Sequence, residues 1–204
     1  MQKTLSCSDT NLENKMDKKT AISLGNVCTS AVYGLREGLR PSKKGGYKTC
    51  PFDLMCTNID GIIDCLNTDF KYFCDPKFLK VKDLGTENGE DRFMIRHTKY
   101  KWKFNHESFA PGEAYLYARE NWENGVYTFV NNNFEKLVER YTKRIDNFKY
   151  YCESDYYVTF ILQLCREEYS DGLMERLHDA IKTRFSKLEY EIKVISNDYK
   201  IRKK

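Results

Sequence analysis

The stretch "TAISLGNVCTSAVYGLREGLR" (Thr20–Arg40) decides how the chain is read. Its first part, "TAISLG", is a short apolar run closed by Gly25, the pattern of a strand. From Cys28 onward, Ala31, Val32, Leu35 and Leu39 recur at helical spacing. A strand therefore hands over to a helix, and Cys28 stands at or just before the first helical turn. Backbone N–H groups there lack intrahelical acceptors, and with the helix dipole they favour a thiolate over a thiol. Backbone N–H groups near the sulfur, those of Asn26 and Val27, can hold an oxyanion beside it. The competing reading makes Cys28 one more small buried residue at a strand–helix junction.

The C-terminal part extends the pattern. A long helix starts near Asn132 or Asn133, either of which can cap it, and carries the stripe Phe134, Leu137, Val138, Tyr141, Ile145 and Phe148. "YYVTFILQL" reads as a buried strand, "SDGLMERLHDAIKTRF" as a helix opened by Ser170 or Asp171, and "YEIKVIS" as a last strand. Helix, strand, helix, strand, added to the first strand and helix, predicts an α/β fold: a central, mainly parallel sheet with helices on both faces. Between these ends, "RPSKKGGYK" is a loop, "CPFDLMCTN" is compact and apolar, and "IDGIIDCLNTDFKYF" holds a helix ending near Asn67. "VKDLGTENGEDR" reads as a mobile loop, "RFMIRH" with "YKWKFNH" as a hairpin, and "GEAYLYARENW" as helical. Residues 1–19 form a polar lead-in, 20–199 a single α/β domain, and 200–204 a basic tail.

Composition narrows the function classes. With 41% apolar and 14% aromatic residues over 204 positions, the chain can bury a sizeable core. A net charge of +4, with both signs interspersed, announces no nucleic-acid groove. No run is long enough for a membrane span, and no basic-then-apolar leader opens the chain, so a soluble cytoplasmic protein with reduced thiols is expected. The eight cysteines are irregularly spaced, Cys50 and Cys56 lie too far apart for a CxxC pair, and only three histidines are present. No zinc site and no cofactor are expected. Abundant Lys, Asn, Tyr, Asp and Ile with four prolines match the coding bias of an AT-rich genome, as in large DNA viruses and some bacteria.

A thiol nucleophile needs a base. His106, after the alternating "YKWKFN", is placed to project from a strand end toward a cleft, with His97 second. His178, beside Asp179 on an amphipathic helix, reads as structural or solvated. Asp53 in "PFD" is a carboxylate among apolar residues; it either orients the imidazole or caps the next turn through backbone N–H groups. Asn105 and Glu107, beside His106, are further candidates for orienting it. Arg140 and Arg144, four residues apart on the long helix, can face one phosphate or carboxylate.

Together these segments resemble a known family. "ISLGNVC" (Ile22–Cys28), "LREGLR" (Leu35–Arg40), "PFD" (Pro51–Asp53) and "DFKYF" (Asp69–Phe73) are similar to a domain-of-unknown-function family of papain-like cysteine peptidases found in bacteria and large DNA viruses. "FNHE" (Phe104–Glu107) looks like its later aromatic-histidine element, and "ERYTKRIDNF" before "YYVTFIL" like its basic helix and strand. The resemblance spans about Ala21 to Leu164 and implies Cys28 as nucleophile and His106 as base. The loop "RPSKKGGYKTC" is long for that pattern. The papain-like fold, an α+β alternative, shares a cysteine at a helix N-terminus but has an antiparallel sheet.

The leading expectation is a papain-like thiol hydrolase or acyl transferase acting on a peptide or acyl-type substrate. Cys28 attacks, His106 carries the proton and Asp53 orients His106. A second expectation is a non-catalytic protein that binds a host factor on an enzyme-like scaffold. A third is a phosphate-handling α/β protein using the "SLGNVC" turn with Arg140 and Arg144, although a lone Gly25 is little for a phosphate loop.

Overall fold

A computed structural model describes residues 18–87, 89–110, 122–164 and 171–196. In chain order the elements are β1 (Lys19–Ser23), α1 (Thr29–Arg36), α2 (Ile59–Asn67), β2 (Leu79–Glu87), β3 (Glu90–His97), β4 (Trp102–Lys103), α3 (Asn131–Glu153), β5 (Tyr157–Gln163), α4 (Leu173–Arg184) and β6 (Glu189–Ile195). They build two three-stranded sheets, β1-β5-β6 and β2-β3-β4.

The first sheet is parallel throughout: Ile22 lies opposite Phe160, and Phe160 opposite Ile192. β5 is its central strand, and its continuous apolar run reflects burial on both faces. Side chains alternate between two layers. Ala21, Ile161 and Ile195 face α1, where Tyr33 packs on them. Ile22, Phe160 and Leu162 face the main core with Phe148 of α3 and with Leu177 and Ile181 of α4. α1 comes very close to the sheet, because a Cβ on Gly34 would sit 2.8 Å from the Ile161 side chain. Helices therefore cover both faces of this sheet, as the strand–helix alternation predicts.

The second sheet is a departure from a single, mainly parallel sheet. "VKDLGTENGEDR", expected as a loop, forms most of an antiparallel hairpin in which Lys80 pairs with Arg96 and Lys82 with Met94. Residues Lys80–Thr86 are exposed, so no apolar alternation marks β2 as a strand. Its pairing is carried by the backbone. "YKWKFNH" does return antiparallel to "RFMIRH", with Arg96 opposite Lys103, but as a strand of two residues. Between the sheets lies an aromatic cluster centred on Phe52, whose ring meets Trp102 edge-on at 5.6 Å and Phe148 at 5.9 Å.

Two helix starts differ from expectation. Asn132 and Asn133 do not cap α3: with Phe134 they adopt positive φ values of 51°, 54° and 67°, and Val130 precedes the helix without a side-chain cap. Asparagine tolerates the left-handed region better than most residues, which suits it to such a turn as well as to a cap. α4 starts after Gly172, not Asp171; Ser170 lies outside the described residues, as do the predicted helix at 112–122 except for Trp122, the lead-in to position 17 and the tail. No helix among the described residues is long and apolar enough to cross a membrane.

Candidate active site

Cys28 is placed by a turn at the carboxyl end of β1. The Ser23 hydroxyl accepts the Gly25 N–H at 3.0 Å, and the Ser30 hydroxyl donates to the Gly25 carbonyl at 3.1 Å. Gly25 and Asn26 both turn left-handed, at φ 88° and 70°. Thr57 then latches the turn. Its Oγ1 accepts the Asn26 N–H at 2.7 Å and donates to the Leu24 carbonyl at 3.3 Å, and its own N–H donates to the Asn26 carbonyl at 3.2 Å. Cys28, half-buried, is the residue immediately before α1, whose first intrahelical bond runs from the Val32 N–H to the Cys28 carbonyl at 3.0 Å. The N–H groups of Thr29, Ser30 and Ala31 thus have no intrahelical acceptor and lie at the positive end of the helix dipole. The Asn26 N–H, expected to serve an oxyanion, is committed to Thr57, whereas Val27 lies half-buried between Asn26 and Cys28.

The other thiols differ in environment. Burial raises the Cys50, Cys65 and Cys152 thiols well above the usual range, and raises Cys74 to about 11. All four are held as neutral thiols near pH 7. Cys56 pairs through its backbone with Lys103, an isolated bridge that ties the residue beside Thr57 to the strand leading into His106.

The three histidines separate cleanly. His97 is fully buried; its Nε2–H donates to the Tyr72 carbonyl at 2.9 Å while Nδ1 accepts the Tyr100 N–H at 3.2 Å, so both ring nitrogens serve the fold. His178 Nδ1 meets the Tyr190 hydroxyl at 2.9 Å on an exposed helix face. His106, in the turn Asn105–Glu107, lines a cavity of about 1020 Å³ with Tyr47, Arg140 and Arg144. Cys28, Asn26, Val27 and Asp53 do not line that cavity.

Two buried carboxylates organise this region: Glu107 lines the cavity, and Asp53 holds its Tyr47 wall from behind. Asp53 Oδ1 accepts from Arg40 at 2.9 Å, and its Oδ2 accepts from the Tyr47 hydroxyl at 3.0 Å and the Cys50 N–H at 2.8 Å. It thereby caps the turn Pro51–Leu54 and fixes Tyr47 as a cavity wall. Glu107, fully buried, accepts from Arg140 and Arg144 at Oε1, each at 3.1 Å, and from the Tyr141 hydroxyl at Oε2 at 2.9 Å. Arg140 and Arg144 do face one anion, and it belongs to the chain itself. The Arg-x-x-x-Arg spacing with a tyrosine between is the sequence signal for this hub. Arg40, at the end of "LREGLR", has no comparable signal, since nothing local to it points at Asp53.

Burial, and then the positive fields of Arg144 and Arg140, lower the His106 pKa to about 4 against the opposing pull of Glu107. The folded protein thus takes up this proton near pH 4, and the unfolded chain near 6.5. Between those values the unfolded state holds more protons, so stability falls as pH drops from 6.5 toward 4 and is unaffected above that window. An NMR titration is expected to show a neutral His106 imidazole at pH 5, and His106→Gln to shrink the loss of stability between pH 7 and 5. A midpoint at or above 6.5 contradicts this account.

The family model described as "Putative papain-like cysteine peptidase (DUF1796)" matches residues 19–199. The chain belongs to this family. No curated protein and no solved structure matches it. The span of the papain-like peptidase match takes in β1, the Cys28 turn, both buried carboxylates and the His106 cavity. In this member of the family the cysteine stands at a helix N-terminus, and the strand before it belongs to a parallel sheet. Among the described residues no group of histidines, cysteines and carboxylates is arranged to hold a metal ion.

Proposed function

We propose that the chain is a cysteine hydrolase of peptidase type, with Cys28 as nucleophile and His106 as general base. The observation that supports this most is the Cys28 turn: a half-buried thiol on the residue immediately before α1, at the donor end of that helix, in a chain whose fully buried thiols are held neutral. In the reaction the Cys28 sulfur bonds to the substrate carbonyl carbon as its proton passes to His106. The oxyanion is received by N–H groups of Val27 and the first turn of α1. Collapse expels the amine, which takes the proton from His106, and water then cleaves the thioester. The step requires the imidazole within hydrogen-bond reach of the sulfur in the substrate complex. Asp53 supports it by fixing Arg40 and the Tyr47 wall of the His106 cavity.

Iodoacetamide labelling of the native protein across pH tests this proposal. Cys28 is expected to react first, with an apparent pKa below the ~8.5 of a free cysteine, and His106→Gln to slow it near neutral pH. If Cys28 reacts no faster than the other thiols, the proposal fails. One observation favours a second reading, a non-catalytic scaffold that binds a host protein. An imidazole held near pKa 4 is a weak base for a thiol. On that reading Cys28→Ala leaves partner binding and biological effect intact.

A further inference from the structure

We infer that the cavity beside His106 binds an acidic peptide segment, with Lys43, Lys48, Lys136, Arg140, Lys143 and Arg144 receiving its carboxylates. Binding stands independently of the peptidase reading; only cleavage of the bound segment rests on it.

The six cations come from two places, the loop after α1 and one side of α3. Positions 136, 140, 143 and 144 recur at i, i+4, i+7 and i+8, which stacks like charges along one helix face. Such stacking opposes helix formation, and the partners within the fold offset only part of it. Glu107 engages Arg140 and Arg144, Glu139 lies 3.3 Å from Lys136, and Glu123 also lines the cavity, so six cations face three carboxylates there. Lys48 rests over the Tyr150 ring at 3.7 Å. Among the described residues Lys43 and Lys143 make no ion pair. The whole chain carries a net charge of only +4, so this surplus is a local feature.

The arrangement selects the ligand's chemistry. A single phosphate is best held by a convergent guanidinium fork, and here one arm of each arginine already serves Glu107. What remains is mostly lysine ammonium groups spread around the cavity, which suits charge distributed along a chain. The volume, about 1020 Å³, lies at the upper end for small-molecule sites and leaves room for several residues. Carboxylates brought there also oppose the arginine field that acts on His106, so acidic ligand and imidazole basicity rise together.

The test is fluorescence anisotropy on the full chain with a short labelled Glu-rich peptide, its Gln-rich counterpart, pyrophosphate as competitor, and a labelled oligothymidylate. The Glu-rich peptide is expected to bind and the Gln-rich one not, with affinity falling as salt rises from about 0.02 to 0.2 M. The exposed double variant Lys43→Glu/Lys143→Glu is expected to weaken binding about tenfold or more, and Cys28→Ala to leave it unchanged. Equal binding of the Gln-rich peptide, indifference to the double variant, or tighter binding of pyrophosphate or the oligothymidylate each overturns the inference. Failed Cys28 labelling with intact Glu-peptide binding sinks the thiol mechanism alone, and the reverse pattern sinks the cavity assignment alone.

Discussion

Glu107→Ala is expected to destabilise the protein by about 3–5 kcal/mol, lowering its melting temperature by on the order of 10 °C. The carboxylate is fully buried, and three donors converge on it. Removing it strands the Arg144 guanidinium, only 10% exposed, and the buried Tyr141 hydroxyl. An uncompensated buried charge is what makes the loss large. Arg140→Ala, by contrast, removes a side chain 38% exposed at the edge of the same hub and is expected to cost about 1 kcal/mol or less. The double change Glu107→Leu/Arg144→Met replaces both buried charges with apolar groups and is expected to recover much of the loss. Chemical denaturation of the three variants decides the matter. A cost below about 1 kcal/mol for Glu107→Ala would show that water reaches the hub.

Gly25→Ala is the second large effect, expected at about 2–5 kcal/mol together with loss of any selective reactivity at Cys28. At φ 88° a side chain is strained wherever it points. Here it also overlaps Thr57 Oγ1 and comes within 3.0 Å of the Thr57 Cβ and Cγ2. Thr57 cannot easily yield, because its hydroxyl and N–H hold Asn26 and Leu24. Either the latch breaks or the turn carrying Cys28 moves. Thr57→Ala alone costs less, by loss of the hydroxyl's hydrogen bonds, and the double variant is expected to fall short of the summed losses because the overlap is relieved. Denaturation midpoints read the first part, and alkylation rates at Cys28 the second. Wild-type values in Gly25→Ala would mean that the turn is not held by Thr57.

An element is legible in the sequence where burial leaves a periodic mark. β5 announces itself because a central parallel strand must be apolar at nearly every position, and β1 with α1 because Gly25 punctuates a change of period. β2 leaves no mark, since its residues Lys80–Thr86 face water. The burial of Asp53 is legible from its apolar neighbours, but its partner Arg40 lies 13 residues upstream across an irregular loop. The spacing of Arg140 and Arg144 points to a shared anion, although nothing local shows that Glu107, 33 and 37 residues earlier, supplies it. His106 and His97 look alike in sequence because each ends an alternating run. Their packing separates them, one against Tyr100 at 4.5 Å and the other on a cavity.

The segment from Tyr47 to Thr57 has a mechanical consequence. Its first residue is a wall of the cavity, its middle turn hangs on Asp53, and its last residue clasps the loop that carries Cys28. A local opening that frees the turn Pro51–Leu54 slackens both ends at once. The thiol and the basic cavity are then gained and lost as one cooperative unit, and backbone protection at Asn26 and Cys50 should rise and fall in step.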